Sequence, residues 1–457
     1  MHILAPFLLV AFALTGCAGL PDVDPWLRYG GAQPPEKFEF RRPLTKEQAD
    51  AAVVKIARKE GDLDILERQA TLEEAVSGAP LVPGNDAVLL HDGPNTYQAM
   101  FDAIEKARDH VNLEFYIIED DATGKRLAEL LIRKRAQGVA VNLIYDSVGS
   151  LGTPREYFDR LREAGVNVLE FNPVNPLKAR RGWRLNNRDH RKMAIVDGSV
   201  AFTGGINISG VYSSGSAAGS KPRVAGKELG WRDTNVRITG PAVADMQRLF
   251  LATWEKQRGE PLEPRNWFPA PKPQGRHPVR VIASSRDDSV PAIFVTFVSA
   301  LRHAARYAYL TMAYFAPDPQ TLAALKDAAG RGVDVKLILP SYTDFWGIFH
   351  AGRSHYSDLL QAGVRIYERQ EALLHAKTVV IDGVWSTVGS SNIDWRSFLH
   401  NDELNVVVLG SEFGKQMEAT FHHDLNNSKR ITLEEWERRP VNLRVMEWAA
   451  RIWEYWL

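Results

Sequence analysis

Stretches in which apolar residues fall at helical spacing alternate along this chain with short apolar runs that read as buried strands. Ala103-Ile104-Glu105-Lys106-Ala107 leads into Val111-Asn112-Leu113-Glu114-Phe115-Tyr116-Ile117, and Ala300-Leu301-Arg302-His303-Ala304 leads into Ala308-Tyr309-Leu310-Thr311-Met312-Ala313-Tyr314. Each pair predicts a helix followed by a strand. Gly138-Val139-Ala140-Val141-Asn142-Leu143-Ile144 has its counterpart in Gly332-Val333-Asp334-Val335-Lys336-Leu337-Ile338, and in both a glycine stops the preceding helix. Ala164-Gly165-Val166-Asn167-Val168 is matched in turn by Ala362-Gly363-Val364-Arg365-Ile366. One α/β unit is therefore used twice, with loop insertions that differ between the copies.

The duplication is sharpest in two hairpins. Lys192 to Val196 alternates and is rich in β-branched types, Asp197-Gly198 is a turn signal, and Val200 to Thr203 resumes the extended pattern. Lys377 to Ile381, Asp382-Gly383 and Val384 to Val388 repeat it. Within these hairpins His190, Lys192, Asp197, Gly204 and Asn207 share one spacing with His375, Lys377, Asp382, Gly389 and Asn392, namely H-x-K-x4-D-x6-G-x2-N. At roughly 5% per residue type, five fixed positions recur by chance about once in ten thousand chains of this length. A single H-x-K would read as an ordinary hairpin; the repeat does not.

The chemistry follows from the residue types. With a side-chain period of two, each His and its Lys point to one face of a strand. Two such hairpins brought together offer two imidazoles that titrate near neutrality and two ammoniums suited to a tetrahedral anion. An imidazole that works as base or nucleophile needs a partner to fix its tautomer, commonly a carboxylate. Asp233, in Asp233-Thr234-Asn235-Val236, and Glu403, in Glu403-Leu404-Asn405-Val406, follow the two motifs in equivalent positions and are the candidates.

Composition limits the substrate. Lys plus Arg and Asp plus Glu are 56 each in 457 residues, so the global basic field usual for nucleic-acid binding is missing and no nucleic-acid partner is expected. Locally, Lys178, Arg180, Arg181, Arg184, Arg188, Arg191 and Lys192 crowd the approach to the first motif with Trp183 among them, either a mouth for anionic headgroups or a solvated basic loop. The N-terminus carries a short apolar run, Ile3 to Leu14, then Leu14-Thr15-Gly16-Cys17. The run is too short to span a bilayer and resembles a secretory signal; the tetrapeptide resembles a bacterial lipobox, in which Cys17 is acylated. Cys17 is the only cysteine, as expected of an exported chain with no disulfide to make.

Together with Phe115-Tyr116-Ile117, Asn187-Arg188-Asp189-His190, Arg232-Asp233-Thr234-Asn235 and Tyr314-Phe315-Ala316-Pro317-Asp318, the duplicated H-x-K-x4-D motif resembles the phospholipase D superfamily, and within it the bacterial cardiolipin synthases. The resemblance implies an α/β phospholipase D fold: two duplicated halves with mixed sheets flanked by helices, and the active site at their pseudo-two-fold interface. It also implies phosphodiester exchange without cofactor or metal, in which one histidine attacks phosphorus and the other serves as acid and base. Family precedent favours His190 as nucleophile and His375 as acid/base, while the near-symmetry leaves this open. Lys192, Lys377, Asn207 and Asn392 would hold the phosphoryl oxygens. Asp197 and Asp382 are counted with the catalytic set by their place in the motif, although turn positions suit a structural role. The substrate class is an anionic phospholipid, with one phosphatidylglycerol as donor and a second as acceptor. Hydrolysis of phospholipid by the same machinery, with hydrolysis of nucleic acid less favoured, or a non-catalytic envelope lipoprotein, are the alternatives. Typical bacterial cardiolipin synthases carry N-terminal transmembrane helices, and here acyl chains on Cys17 would hold the protein to a membrane surface facing the periplasm. Ala18 in place of Asp after the cysteine departs from the enteric signal for inner-membrane retention, which points to the outer membrane.

The expected organisation is a signal peptide with lipobox (1–17), a tether and short helical region (18–84), the first half (85–260), a Pro-rich connection (261–278), the second half (279–430) and a C-terminal amphipathic segment (431–457). That last segment, with Val445, Trp448, Ile452 and Trp456 at helical spacing, reads as a helix docked on the core or as one lying at a lipid interface. The Ser- and Gly-rich stretch from Gly210 to Gly230 reads as a flap over the site or as plain disorder.

Overall fold

In the parallel part of each half, successive strands run the same way and so require helical crossovers between them. The computed structural model describes residues 19–23, 63–175, 184, 186–213, 215, 223–224, 227–228 and 230–456. In its first half the parallel strands are His110–Phe115, Ala140–Asp146 and Asn167–Phe171, connected by the helices Ala122–Ala136 and Arg155–Glu163. In the second they are Tyr307–Met312, Asp334–Pro340 and Arg365–Arg369, with the helix Pro319–Gly330 in the equivalent first crossover. Local sequence supports these crossovers. Asp121 accepts from the amides of Thr123 and Gly124 at the start of one, and Asp318 accepts from Gln320 and Thr321 at the start of the other, followed by Pro319. His110–Phe115 is buried on both faces, as expected where helices cover a parallel strand on each side.

All of these strands join one sixteen-stranded sheet among the described residues, fifteen strands in one continuous order and Arg188–Asp189 paired off it to Asn401–Leu409. From its outer edge, the second half runs Ser428–Ile431, Arg365–Arg369, Asp334–Pro340, Tyr307–Met312, Lys377–Ile381, Trp385–Gly389, Asn401–Leu409 and His277–Ser284. The first half continues as Val82–His91, Thr234–Thr239, Val200–Gly204, Lys192–Val196, His110–Phe115, Ala140–Asp146 and Asn167–Phe171. Apart from the extra edge strand Ser428–Ile431, the second order is the mirror of the first. The halves meet where Val82 and Asn85 pair with Val279 and His277 in an antiparallel, irregular register. The first half thus opens at Val82, three residues ahead of the boundary expected at 85.

Both motif hairpins turn as their Asp-Gly pairs predict. Asp197 and Gly198 have φ of 51° and 58°, and Asp382 and Gly383 have 53° and 71°, the positive values a tight hairpin needs at both central positions. A middle apolar core crosses the seam, joining Val236 and Phe250 of the first half to Val281, Val406 and Phe413 of the second. Separate outer cores lie behind each half. The N-terminal helix Leu63–Ser77 packs on Ala292–His303, and its buried Glu73 accepts from Arg280 at 3.1 Å and from Trp385 at 2.7 Å. Gly19 to Val23, the start of the stretch expected as a tether, lies against the second half, where Val23 is fully buried. The lipobox with Cys17, the cluster Lys178 to Trp183 and most of the Ser- and Gly-rich stretch lie outside the described residues. Among the described residues, no helix is long and apolar enough to cross a membrane.

Candidate active site

Two short ladders across the seam place the candidate residues. Arg188–Asp189 of the first half runs parallel to the start of Asn401–Leu409, pairing Arg188 with Asn401 and Asp189 with Asp402. The next residue on each side is His190 and Glu403. Gly230–Arg232 runs parallel to Ala372–Leu374 in the same manner, and the next residues are Asp233 and His375. The histidine amides complete the ladders, His190 N donating to Asp402 O at 2.9 Å and His375 N to Arg232 O at 2.8 Å.

The histidine–acid pairs are therefore crossed. His190 Nδ1 lies 3.0 Å from Glu403 Oε1 and 3.1 Å from Oε2, and His375 Nδ1 lies 2.7 Å from Asp233 Oδ2. With Nδ1 taken, Nε2 of each ring is the nitrogen left for chemistry. The two acids are supported differently. Glu403 also accepts from Asn401 Nδ2 at 3.2 Å and from the hydroxyl of Ser390, whereas Asp233 Oδ1 accepts from the Thr234 amide at 2.7 Å. Ser390 takes the place that Gly205 holds in the first copy, where a Cβ would fall 2.2 Å from Asp233 Oδ1. That break in the repeat is the signal that could have marked Ser390 from sequence. The motif glycines have a related cause: a Cβ on Gly204 or Gly389 would meet Oδ1 of Asn235 or Asn405 at 2.2 or 2.1 Å.

Electrostatics set the resting protonation. Burial pushes the His190 imidazole down to about 4 against the opposing pull of Glu403, and burial with Lys377 lowers His375 as well. Burial works to raise the Glu403 carboxyl, but His190, Lys192 and Ser390 together outweigh it and hold the group at about 2. The resting pair is a neutral imidazole donating through Nδ1 to a carboxylate, which leaves Nε2 with a free lone pair, the form a nucleophile requires.

Both histidines and both motif asparagines line one cavity of about 320 Å³, together with Tyr116, Tyr212, Trp231, Tyr314 and Arg396. Oδ1 of Asn207 accepts from the Ile117 amide at 3.1 Å, and Oδ1 of Asn392 accepts from the Tyr314 amide at 3.4 Å. Each asparagine is thereby oriented with its carbonyl against the backbone. Tyr212 was not singled out by sequence, yet its hydroxyl is 3.3 Å from both His375 Nδ1 and Asn207 Nδ2. Arg396, the one arginine lining the cavity among the described residues, is held by Asn186 at 2.9 Å.

Lys192 and Lys377 lie behind the histidines. Each ammonium donates to the backbone carbonyl of its own motif histidine, Lys192 at 2.5 Å. Both are buried, and burial brings Lys192 down to about 7 and Lys377 down to about 8.

Two expectations need correction. Asp197 and Asp382, grouped with the catalytic set, do not line the cavity; each carboxylate is taken up by three backbone amides, those of Arg108, Asp109 and His110 for Asp197 and those of Ala305, Arg306 and Tyr307 for Asp382. They tie each hairpin turn to the start of the neighbouring strand. The basic run reads as a mouth or as a solvated loop, and among its described residues Arg188, Arg191 and Lys192 are buried, as neither reading expects. Arg188 is buried against Ser147 and Asp146, and Arg191 is buried with Thr253, Glu114 and Asp402, while Arg184 is exposed.

A family model described as "Cardiolipin synthase, PLD-like domain" matches residues 100–213 and 297–425. The chain is 35% identical over 376 residues to a cardiolipin synthase of Geobacillus thermodenitrificans, covering 82% of this chain and 72% of that protein. It is 34% identical over 372 residues to the major cardiolipin synthase of Bacillus subtilis, covering 80% and 74%. Among solved structures, the phosphatidylserine synthase of Haemophilus influenzae superposes with a TM-score of 0.57 at 12% identity, over 81% of this chain and 95% of that one, a likeness of fold. Motif, fold and sequence similarity agree, and the chain belongs to the cardiolipin synthase family of phospholipase D-like proteins.

Proposed function

We propose that this protein is a phosphatidyltransferase that makes cardiolipin from two molecules of phosphatidylglycerol by way of a phosphohistidine. The observation that carries the reading is the pair of crossed histidine–acid couples facing one cavity, with the similarity to proteins named cardiolipin synthase behind it. In the first step His375 is protonated at Nε2 once the anionic phosphodiester is bound beside it; Nε2 of His190 attacks phosphorus, the bond from phosphorus to the glycerol headgroup oxygen breaks, and the His375 imidazolium gives that oxygen its Nε2 proton. In the second, His375 takes the proton of a hydroxyl on the incoming phosphatidylglycerol, that oxygen attacks phosphorus, and the bond to His190 breaks. A covalent intermediate divides one hard displacement into two easier ones. The amides of Asn207 and Asn392 bind the phosphoryl oxygens, and Lys192 and Lys377 supply positive charge from behind. Glu403 and Asp233 hold the tautomers.

The membrane reading belongs to the same proposal. Acyl chains on Cys17 anchor the protein in the bacterial envelope with the catalytic halves in the periplasm, and replacing Cys17 with Ser is expected to release it from membranes. The decisive experiment incubates detergent-solubilised full chain with phosphatidylglycerol alone and identifies products by mass spectrometry. Cardiolipin plus glycerol is the expected result; phosphatidic acid without cardiolipin would replace transfer by hydrolysis.

A further inference from the structure

Eight of the ten large apolar side chains most exposed among the described residues fall in two segments, Phe345-Trp346 and Val441 to Trp456. The second is the helix Val441–Ile452 and the turn after it. This helix is attached by one narrow face. Ala450 packs with Ile348, Ala351 and Ala316, and Glu447 is buried between Arg439 and Arg353. Its other side is apolar and open: Val441, Val445, Trp448 and Ile452 lie four, three and four residues apart and are each more than half exposed, a stripe along one helical face. Of the two readings of this segment, docking on the core by the apolar side does not match the exposed stripe.

Three observations say what covers this face. The helix rests on Trp346–Arg353, which contributes Ile348 to the cavity wall next to Phe345. The C-terminal turn is tied to the same wall by Tyr455, whose ring packs at a tilt against that of Trp395 with centroids 5.3 Å apart, beside Arg396. The helix that carries the apolar stripe is therefore seated on the wall of the site. Second, exposed Arg444 and Arg451 flank the stripe on one side, the arrangement of tryptophan, aliphatic and arginine residues that suits the boundary between headgroups and acyl chains. Third, the N-terminus arrives at the same edge. Gln320 accepts from the Val23 amide and donates to the Pro21 carbonyl, both at 2.8 Å, six residues after Tyr314 of the cavity wall and four after Ala316 of the helix contact. Cys17 stands four residues before Pro21 in the sequence.

We infer that the outer face of the helix Val441–Ile452 lies in the interfacial layer of a phospholipid bilayer, and that it presents the mouth of the cavity to lipids of that membrane. This rests on the phosphatidyltransferase reading for the substrate and not for the docking. A lipid drawn directly from the bilayer need not expose its chains to water.

The test uses the full chain carrying Cys17→Ser, so that acyl chains do not mask the face, with and without the triple change Val445→Ser, Trp448→Ser and Ile452→Ser. Each is floated with vesicles of phosphatidylglycerol and phosphatidylcholine in equal parts, and assayed on vesicle phosphatidylglycerol and on monomeric dihexanoyl-phosphatidylglycerol. The parent is expected to float and the triple variant to remain in solution. The variant is also expected to lose at least about tenfold in turnover of vesicle lipid, with unchanged turnover of the monomeric lipid and an unchanged melting curve. A triple variant that floats and processes vesicle lipid like its parent overturns the inference. So does sedimentation showing that the parent is a dimer and the variant a monomer, since the face would then be a contact between copies. If the parent processes neither lipid, the phosphatidyltransferase reading fails, and flotation alone decides the docking.

Discussion

His190 of the first half and Glu403 of the second meet at 3.0 Å, so the repeat does not supply each histidine with its own acid. The reciprocal couple, His375 with Asp233 at 2.7 Å, closes the exchange. Each half alone holds an imidazole without its carboxylate and a carboxylate without its imidazole.

The crossing makes the acid variants distinguishable. Glu403→Gln disturbs His190, and Asp233→Asn disturbs His375, each with an expected loss of about 10²- to 10⁴-fold in kcat on phosphatidylglycerol. A donor with a p-nitrophenyl leaving group needs no proton in the first step. With it, Asp233→Asn is expected to regain a rapid burst of p-nitrophenol while Glu403→Gln does not. A burst restored in Glu403→Gln alone would reverse the assignment of nucleophile and acid.

The covalent step has its own signature. His375→Ala given the p-nitrophenyl donor is expected to accumulate a phosphatidyl adduct on the peptide containing His190, because the second alcohol lacks a base to activate it. His190→Ala is expected to form none. Peptide mass mapping reads both, and an adduct on His375 in the His190→Ala protein would defeat the scheme.

The buried lysines predict how binding responds to pH. Lys192 at about 7 and Lys377 at about 8 lose their charge in the free enzyme as pH rises through those values. An anionic phosphodiester binds the charged forms better, so its presence favours protonation. KM for phosphatidylglycerol is therefore expected to rise between pH 6.5 and pH 9, and more steeply above 8 than below 7. A KM that stays flat over that range would mean that neither ammonium feels the phosphate.

Much of this site was legible in the sequence because duplication at fixed spacing is informative where a single motif is weak. Asp-Gly announced both hairpin turns, and the motif positions delivered both histidines and both asparagines to one cavity. The crossing was not legible. It is set by ladders two and three residues long, Arg188–Asp189 with Asn401–Asp402 and Gly230–Arg232 with Ala372–Leu374, too short to carry any periodicity. Tyr212 was hidden for a similar reason, since it stands on a 3-10 turn, Gly210–Tyr212, whose sequence reads only as Gly- and Ser-rich loop. The basic run misled because charge along a sequence does not say which arginines find buried carboxylates.

The motif aspartates give the sharpest contrast between structure and chemistry. Asp382→Ala would leave the amides of Ala305, Arg306 and Tyr307 without their shared acceptor. At about 1 kcal/mol for each hydrogen bond lost, somewhat more where the group is buried, the expected cost is about 2–4 kcal/mol. The same reasoning holds for Asp197→Ala. Because neither carboxylate lines the cavity, the protein that remains folded is expected to keep kcat within about threefold, a surface-like change in chemistry with a core-like change in stability. Thermal melting and single-turnover kinetics on the same preparation separate the two quantities. A variant that melts like its parent yet turns over a hundredfold more slowly would return these aspartates to the catalytic set.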